Sequence, residues 1–100
     1  MSLSFSTMPT STRRIVPRRL QEGHLIKELT VQLFKDQDGR YVLAEQEFSI
    51  HGEGDTILEA EQVLLAGLVA ARYNLGLHED RLSPYMRRKF DFVKSLIELD

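Results

Sequence analysis

The chain has 100 residues, of which 42% are hydrophobic and 28% are charged, and it has no cysteine. This composition is typical of one soluble globular domain, and it excludes disulfides, thiolate metal sites and cysteine nucleophiles. No apolar run reaches membrane-spanning length, and the N-terminus lacks the apolar core of a signal peptide. We therefore expect a cytoplasmic protein without a membrane partner.

Charge is distributed unevenly along the chain. Residues 1–23 have four arginines and one glutamate, a net charge of +3, whereas residues 24–100 have nine basic and fourteen acidic side chains, a net charge of −5. An acidic body is a poor surface for nucleic-acid phosphates and suits a basic protein partner. We predict a flexible basic arm over residues 1–20 and a single α+β domain over residues 21–100.

The N-terminal arm has two interpretations. Residues 1–12 are rich in small hydroxyl side chains and have no hydrophobic period, which predicts disorder. The arginines that follow are Arg13, Arg14, Arg18 and Arg19. They form either an arm that lies along nucleic-acid phosphates, or a solvated tail or edge segment that Pro17 keeps from extending a sheet. We favour the second interpretation.

An extended segment opens the body of the chain. Leu29, Val31 and Leu33 alternate with polar residues in a stretch rich in β-forming side chains. This period of two predicts a strand from about residue 25 to residue 35.

A turn and two further strands are predicted next. Residues 36–39 read Asp-Gln-Asp-Gly, which predicts a tight turn with Gly39 at positive φ. Residues 40–45 then form the returning strand, and residues 47–50 form a short third strand after a bend near Gln46.

A helix start follows the predicted strands. Thr56 and Glu59 have the spacing of a capping box, which predicts a helix over residues 57–75. Gly52 and Gly54 are expected to let the chain turn sharply before it. A glycine-rich turn before a helix also resembles a phosphate cradle. We favour the turn and cap, because no Lys-Ser/Thr pair follows and the flanking acids repel phosphate.

This first helix has an apolar face that we expect to pack on the hairpin sheet. The residues assigned to that face are Ile57, Leu58, Ala60, Val63, Leu64, Leu68 and Ala71. Gly67 within the helix suggests a close packing contact, and Gly76 suits a left-handed C-terminal cap.

A second helix is predicted from residue 84 to residue 99, with Ser83 as its N-cap and Pro84 at its first position. Its apolar stripe is Met86, Phe90, Val93 and Ile97. The stripe either completes the core or forms a homodimer through this C-terminal helix. The fold expected is therefore a three-stranded, mainly antiparallel sheet with one packed helix and a C-terminal helix.

Three basic residues, Arg87, Arg88 and Lys89, lie in the first half of this second helix. They are either a phosphate-binding patch or a solvated helix face. We favour the solvated face, because three adjacent residues point around a helix and do not share one side.

The sequence offers no catalytic, metal-binding or cofactor-binding motif. His24, His51 and His78 are far apart, without partners at metal-ligand spacing, and Ser83 lacks the context of a nucleophile. The carboxylates lie mainly in turns and at a helix cap, whereas a two-metal nuclease needs carboxylates that converge from buried strands. We therefore expect a protein that is not an enzyme.

The hairpin and the helix start together resemble HicB-like antitoxins. The resemblance is carried by Tyr41-Val42-Leu43-Ala44-Glu45, by Phe48-Ser49-Ile50 and by His51-Gly52-Glu53-Gly54-Asp55-Thr56-Ile57-Leu58-Glu59-Ala60, within residues 25–75. It implies a β-β-β-α fold like a degraded half of ribonuclease H. It also implies that the chain covers a small basic RNA-cleaving toxin, and many members of the family also bind DNA to repress their own operon.

Two functional hypotheses result. The leading one is a non-enzymatic protein-binding module of the antitoxin type, in which a sheet edge or an acidic face blocks the RNA-binding surface of the toxin. The predicted contact residues are Asp36, Asp38, Glu45 and Glu47. The alternative is a transcriptional regulator that binds DNA. Its predicted contact residues are Arg13, Arg14, Arg18, Arg19, Arg87, Arg88 and Lys89.

Overall fold

The computed structural model describes residues 11–100. Most of the segment for which the sequence predicts disorder lies outside these described residues. In chain order the elements are β1 (Ser11–Ile15), β2 (Arg18–Arg19), β3 (Gly23–Leu25), β4 (Leu29–Lys35), β5 (Tyr41–Ala44), β6 (His51–Gly54), α1 (Ile57–Leu77), a short 3-10 helix (Glu79–Arg81), α2 (Pro84–Leu96) and β7 (Ile97–Leu99). No helix in this part of the chain is both long enough and apolar enough to span a membrane.

Within residues 11–100 the strands form two antiparallel sheets, which confirms the α+β class. The large sheet has the order β1-β4-β5-β6, and the small sheet has the order β2-β3-β7. The single three-stranded sheet expected from the sequence is therefore wrong. The extra strands include β1, which belongs to the segment expected to be an arm. The others, β2, β3 and β7, are only two or three residues long, which is too short for a period-two pattern to reveal them.

The hairpin of β4 and β5 has the predicted turn. Leu33 pairs with Leu43 across the two strands, and Gly39 adopts φ +79° in the turn. The predicted strand over residues 25–35 is divided, however, because β3 pairs in the small sheet and β4 in the large one.

Helix α1 begins at the predicted cap. The hydroxyl of Thr56 accepts a hydrogen bond from the amide of Glu59 (3.1 Å), and the carboxylate of Glu59 accepts one from the amide of Thr56 (3.2 Å). The capping box is therefore confirmed. The helix ends at Leu77, and Gly76 lies inside it, so the predicted left-handed cap at Gly76 is wrong. Leu75 is buried in the core and keeps this last turn packed.

The core lies between α1, α2 and the large sheet. Its fully buried side chains include Val31, Leu43, Leu64 and Phe90, and burial of such a side chain contributes about 1.5–3 kcal/mol.

Two residues assigned to the apolar face of α1 do not join this core. Leu58 is 60% exposed and Val63 is 50% exposed. Apolar residues lie around much of the circumference of α1, but the sheet covers only one side of this helix. Leu58 and Val63 lie outside the covered side.

The glycines before α1 have a different role from the predicted one. Gly52 and Gly54 lie within β6. A Cβ atom on Gly52 would collide with the backbone of Ala60 and Leu64, and one on Gly54 would collide with Glu59. These glycines let α1 pack directly against β6.

Gly67 does not have the close contact that its presence in the helix suggests. A Cβ atom there would lie 3.6 Å from Cγ2 of Ile50, an ordinary van der Waals distance. This prediction was wrong: within residues 11–100, the glycines that the α1 backbone approaches too closely for a Cβ atom are Gly52 and Gly54 of β6.

The predicted third strand over residues 47–50 is wrong. These residues form a turn, in which Ser49 adopts φ +58°, and the strand that follows begins at His51. The turn forms because the carboxylate of Glu45 accepts hydrogen bonds from the amides of Glu47 (2.7 Å), Phe48 (2.9 Å) and Ile50 (2.8 Å).

Helix α2 begins as predicted and ends earlier than predicted. The hydroxyl of Ser83 accepts a hydrogen bond from the amide of Met86 (3.2 Å), which confirms the N-cap. The helix ends at Leu96, because residues 97–99 form β7 and pair with β3.

The apolar stripe of α2 completes the core. Phe90, Val93 and Ile97 are buried, and Met86 packs against them. A homodimer through this stripe therefore has no open surface in the structure.

Residues 11–19 do not form a free arm. Strand β1 pairs with β4 along five positions, from Ser11 opposite Leu33 to Ile15 opposite Leu29, and β2 pairs with β3. Ile15 is only 2% exposed. Pro17 separates the two strands and directs them into different sheets, so the predicted boundary at residue 20 is wrong.

Candidate protein interface

Four carboxylates lie at the end of the large sheet that carries the β4–β5 turn. We call this surface the acidic end, and its members are Asp36, Asp38, Glu53 and Asp55. The first pair lies in the turn, and antiparallel β6 brings the second pair back beside it, with Tyr41 opposite Gly54. Two cations also lie here: Arg40, which pairs with Glu53 and Asp55, and Lys35, whose ammonium is 5.3 Å from the centre of the Tyr41 ring.

The carboxylates of the acidic end differ in their hydrogen bonds, ion pairs and exposure. Asp36 shapes the turn, because its Oδ1 accepts hydrogen bonds from the amides of Asp38 (2.9 Å) and Arg40 (2.8 Å). The Arg40 guanidinium lies 3.1 Å from the Asp55 carboxylate and 3.7 Å from that of Glu53. The Asp55 side chain is nevertheless 81% exposed, and Asp38 is exposed. The acidic end therefore keeps an accessible excess of negative charge.

The structure separates the four contact residues predicted from the sequence. Asp36 and Asp38 precede β5, whereas Glu45 and Glu47 follow it, and a strand of this length spans about 13 Å. Glu45 is 2% exposed, so it shapes the turn over residues 46–50. Glu47 is exposed but lies away from the acidic end.

The four N-terminal arginines all form ion pairs with acids of the body. Arg18 lies 2.6 Å and Arg13 3.7 Å from the buried carboxylate of Glu61. The two remaining arginines pair at the surface, Arg14 with Glu28 (3.9 Å) and Arg19 with Asp100 (2.9 Å). The positive charge that a phosphate backbone needs is thus partly neutralised within the fold.

Two of the basic residues of α2 contact neighbouring groups of the fold. Arg87 donates to the carbonyl of Glu79 (2.8 Å) and lies 5.8 Å from the centre of the Phe90 ring. Arg88 lies 5.9 Å from the centre of the Tyr85 ring. Lys89 is half-buried. The three residues do not form one accessible face.

The histidines are spread over the described part of the chain. His24 lies beside Asp100 (4.0 Å), the ring of His51 contacts the carbonyl of Ser49 (3.2 Å), and His78 is the C-cap of α1. Among residues 11–100, no group of three or more metal-ligating side chains is close enough to hold a metal ion.

A groove runs along the solvent side of α1, and sequence reasoning missed it. It encloses about 810 Å³ between residues 18–22 and the α1 side chains from Leu58 to Asn74. The signal that indicates it is the composition of α1, in which only Glu59, Glu61 and Arg72 are charged.

Comparison of the chain with protein-family models, with curated proteins and with solved structures gave no match. The resemblance to HicB-like antitoxins therefore stays a prediction.

Proposed function

We propose that this chain is a non-enzymatic module that binds a basic protein partner through the acidic end. The supporting observation is the position of Asp38, Glu53 and Asp55 on one sheet end, where Arg40 offsets only part of their charge. An accessible cluster of one sign steers a partner of the opposite sign and fixes its orientation.

The arrangement of the N-terminal arginines also favours a protein partner over DNA. A phosphate-binding arm needs cations that are free to replace counterions. Here Arg18 and Arg13 pair with a buried carboxylate, that of Glu61.

In its more specific form, the proposal is an antitoxin of the HicB type. The partner is then a small basic ribonuclease, and the acidic end blocks its RNA-binding surface. Strand β6 is an outer strand of the large sheet and ends beside Asp55, so the sheet edge and the acidic end present one continuous surface to the partner.

The test is an affinity pull-down from the native lysate of this protein, with three forms of the chain as bait. The wild-type chain is expected to retain one small basic protein in stoichiometric amount. A double variant, Asp38→Asn with Glu53→Gln, keeps the side-chain shapes and removes two negative charges, and we expect it to bind the retained protein about tenfold more weakly. The control variant, Asp91→Asn with Glu98→Gln, makes the same charge change at exposed positions of α2 and β7 and is expected to bind like the wild type.

The outcomes separate the hypotheses. Inhibition of ribonuclease activity in the retained protein by the wild-type chain supports the antitoxin form. If the bait retains only nucleic acid, and this binding weakens steeply as salt is added, the chain is a DNA-binding regulator and the proposal is overturned. Equal binding by the double variant and the control excludes the acidic end as the contact surface.

A further inference from the structure

The solvent side of α1 carries a mainly apolar stripe, which Gln62 alone interrupts between Leu58 and Leu77. We call it the outer stripe; its members are Leu58, Ala66, Val69, Ala70, Tyr73 and Leu77. At 100° per residue these positions fall within a third of the helix circumference. Leu58, Tyr73 and Leu77 are each more than half exposed. All members of the outer stripe except Leu77 line one wall of the groove along α1.

No free charge lies on the outer stripe. Of the three charged residues of α1, Glu59 caps the helix, Glu61 is buried against Arg18, and Arg72 lies with its guanidinium 5.3 Å from the centre of the Phe90 ring. Solvent-facing helix surfaces normally carry charged and polar residues. An apolar stripe of this length therefore indicates a surface that another apolar surface covers.

We infer that the occupant of the outer stripe is a second copy of this chain. A twofold axis requires a patch that is complementary to itself, and the order of side chains along α1 meets this requirement. Large leucines lie at both ends, at positions 58 and 77, and the small side chains of Ala66 and Ala70 lie in the middle.

The register of the proposed helix pair follows from this symmetry. With the axis between Gly67 and Leu68, Leu58 of one copy lies opposite Leu77 of the second copy. In the same register, Gln62 lies opposite Tyr73 of the second copy, and the amide of Gln62 meets its hydroxyl. At the centre, Ala66 lies opposite Val69 and Ala70 opposite Leu65 of the second copy, so each larger side chain meets a small one and the two antiparallel helices can approach closely, within about 8–10 Å.

The size of the surface sets the strength of the dimer. Helix α1 has 21 residues and is therefore about 32 Å long. The outer stripe and the neighbouring residues 18–22 provide fewer contact residues than the roughly 20–30 per copy of a standard interface. We expect a dimer that forms at high concentration and dissociates on dilution. It uses a different surface from the acidic end, so it stands independently of the proposed function.

Sedimentation equilibrium of the full chain over a concentration series tests the dimer. The wild type is expected to show a reversible monomer–dimer equilibrium. Ala66→Glu places a carboxylate opposite Val69 of the second copy and within about one helical turn of the same carboxylate in that copy, and the dimer is expected to weaken about tenfold or more. The control Gln37→Glu adds the same charge in the exposed β4–β5 turn and is expected to leave the equilibrium unchanged.

A mixing experiment tests the antiparallel pairing itself. Ala66→Lys alone is expected to weaken self-association as Ala66→Glu does, and an equal mixture of the two variants is expected to form a heterodimer that is tighter than either self-pair. Circular dichroism confirms that each variant is folded before mixing. A wild type that is monomeric at every concentration, a dimer that Ala66→Glu leaves unchanged, or a mixture without heterodimer overturns the inference.

Discussion

Glu45 directs the path of the chain between β5 and β6. Both of its carboxylate oxygens accept backbone hydrogen bonds, Oε2 from Glu47 and Oε1 from Phe48 and Ile50. The side chain is almost completely buried. A buried acid normally needs such compensation, because a carboxylate without partners is costly away from water. The same residue looks like a surface contact in the sequence, since nothing in its neighbours shows that its own backbone will surround it.

Substitution of Glu45 is expected to destabilise the fold. Glu45→Ala leaves three amides without their charged acceptor and is expected to lower the free energy of unfolding by about 2–3 kcal/mol. Glu45→Gln keeps one acceptor oxygen and is expected to cost about 1 kcal/mol. Urea denaturation measures both values. Glu47→Ala, at the neighbouring exposed position, is the control, and its effect should stay within about 0.5 kcal/mol. Equal effects at the two positions would contradict this role of Glu45.

The junction of β6 and α1 depends on glycine in one element and not in the other. Gly52 on β6 faces the α1 backbone with no room for a methyl group, whereas Gly67 on α1 has ordinary space around it. Gly52→Ala is therefore expected to cost about 3 kcal/mol or more through overpacking. Gly67→Ala is expected to stabilise the protein by about 1 kcal/mol, because alanine is the better helix former.

Thermal and urea unfolding of the two glycine variants, at a concentration where the wild type is monomeric, measure this contrast. The wild type is the reference for both. Destabilisation by Gly67→Ala as large as that by Gly52→Ala would show that the helix is held closely on more than one side.

Elements whose signals are local were predictable from the sequence. The Thr56–Glu59 box and the Ser83 cap depend on residues three positions apart, and a chain segment specifies such contacts by itself. The division between β3 and β4 and the strand β7 depend on pairing between residues 23–25 and 97–99. Sequence patterns do not carry such long-range pairing, and β7 continues the apolar period of α2 through Ile97.

The candidate interface was predictable only in part for the same reason. Asp36 and Asp38 belong to one turn, so their proximity follows from the sequence. Their approach to Glu53 and Asp55 depends on the register of β5 with β6, and the sequence placed the third strand four residues too early. The displaced strand also hid the separation of Glu45 from the acidic end.

On the scale of the whole molecule, one buried carboxylate, that of Glu61, holds the N-terminal strands to α1 by pairing with two partly exposed arginines. The Glu61 side chain is 8% exposed, and its carboxylate lies 2.6 Å from Arg18 of β2 and 3.7 Å from Arg13 of β1. These two ion pairs connect both sheets to the same helix. The pairing with Glu61 also explains why the basic N-terminal segment, which the sequence predicts to be a flexible arm, is part of the folded domain.

A double-mutant cycle on Arg18 and Glu61 tests this connection. Arg18→Leu leaves a buried carboxylate with only the more distant Arg13, so the free energy of unfolding is expected to fall by about 2–3 kcal/mol. The double variant Arg18→Leu/Glu61→Leu removes the uncompensated charge and is expected to be more stable than Arg18→Leu alone, a clear departure from additivity. Urea denaturation provides the values.

Arg14→Leu is the matched control for this cycle, because its partner Glu28 lies 3.9 Å away and both side chains are well exposed. An exposed pair of this kind contributes about 0–1 kcal/mol, so Arg14→Leu should have little effect. Additive effects at Arg18 and Glu61, or an equal loss at Arg14, would show that the pair does not hold the N-terminal strands. The contrast also decides how DNA binding must be tested: loss of binding in an Arg18 variant reports on folding, whereas loss in an Arg14 variant reports on contact.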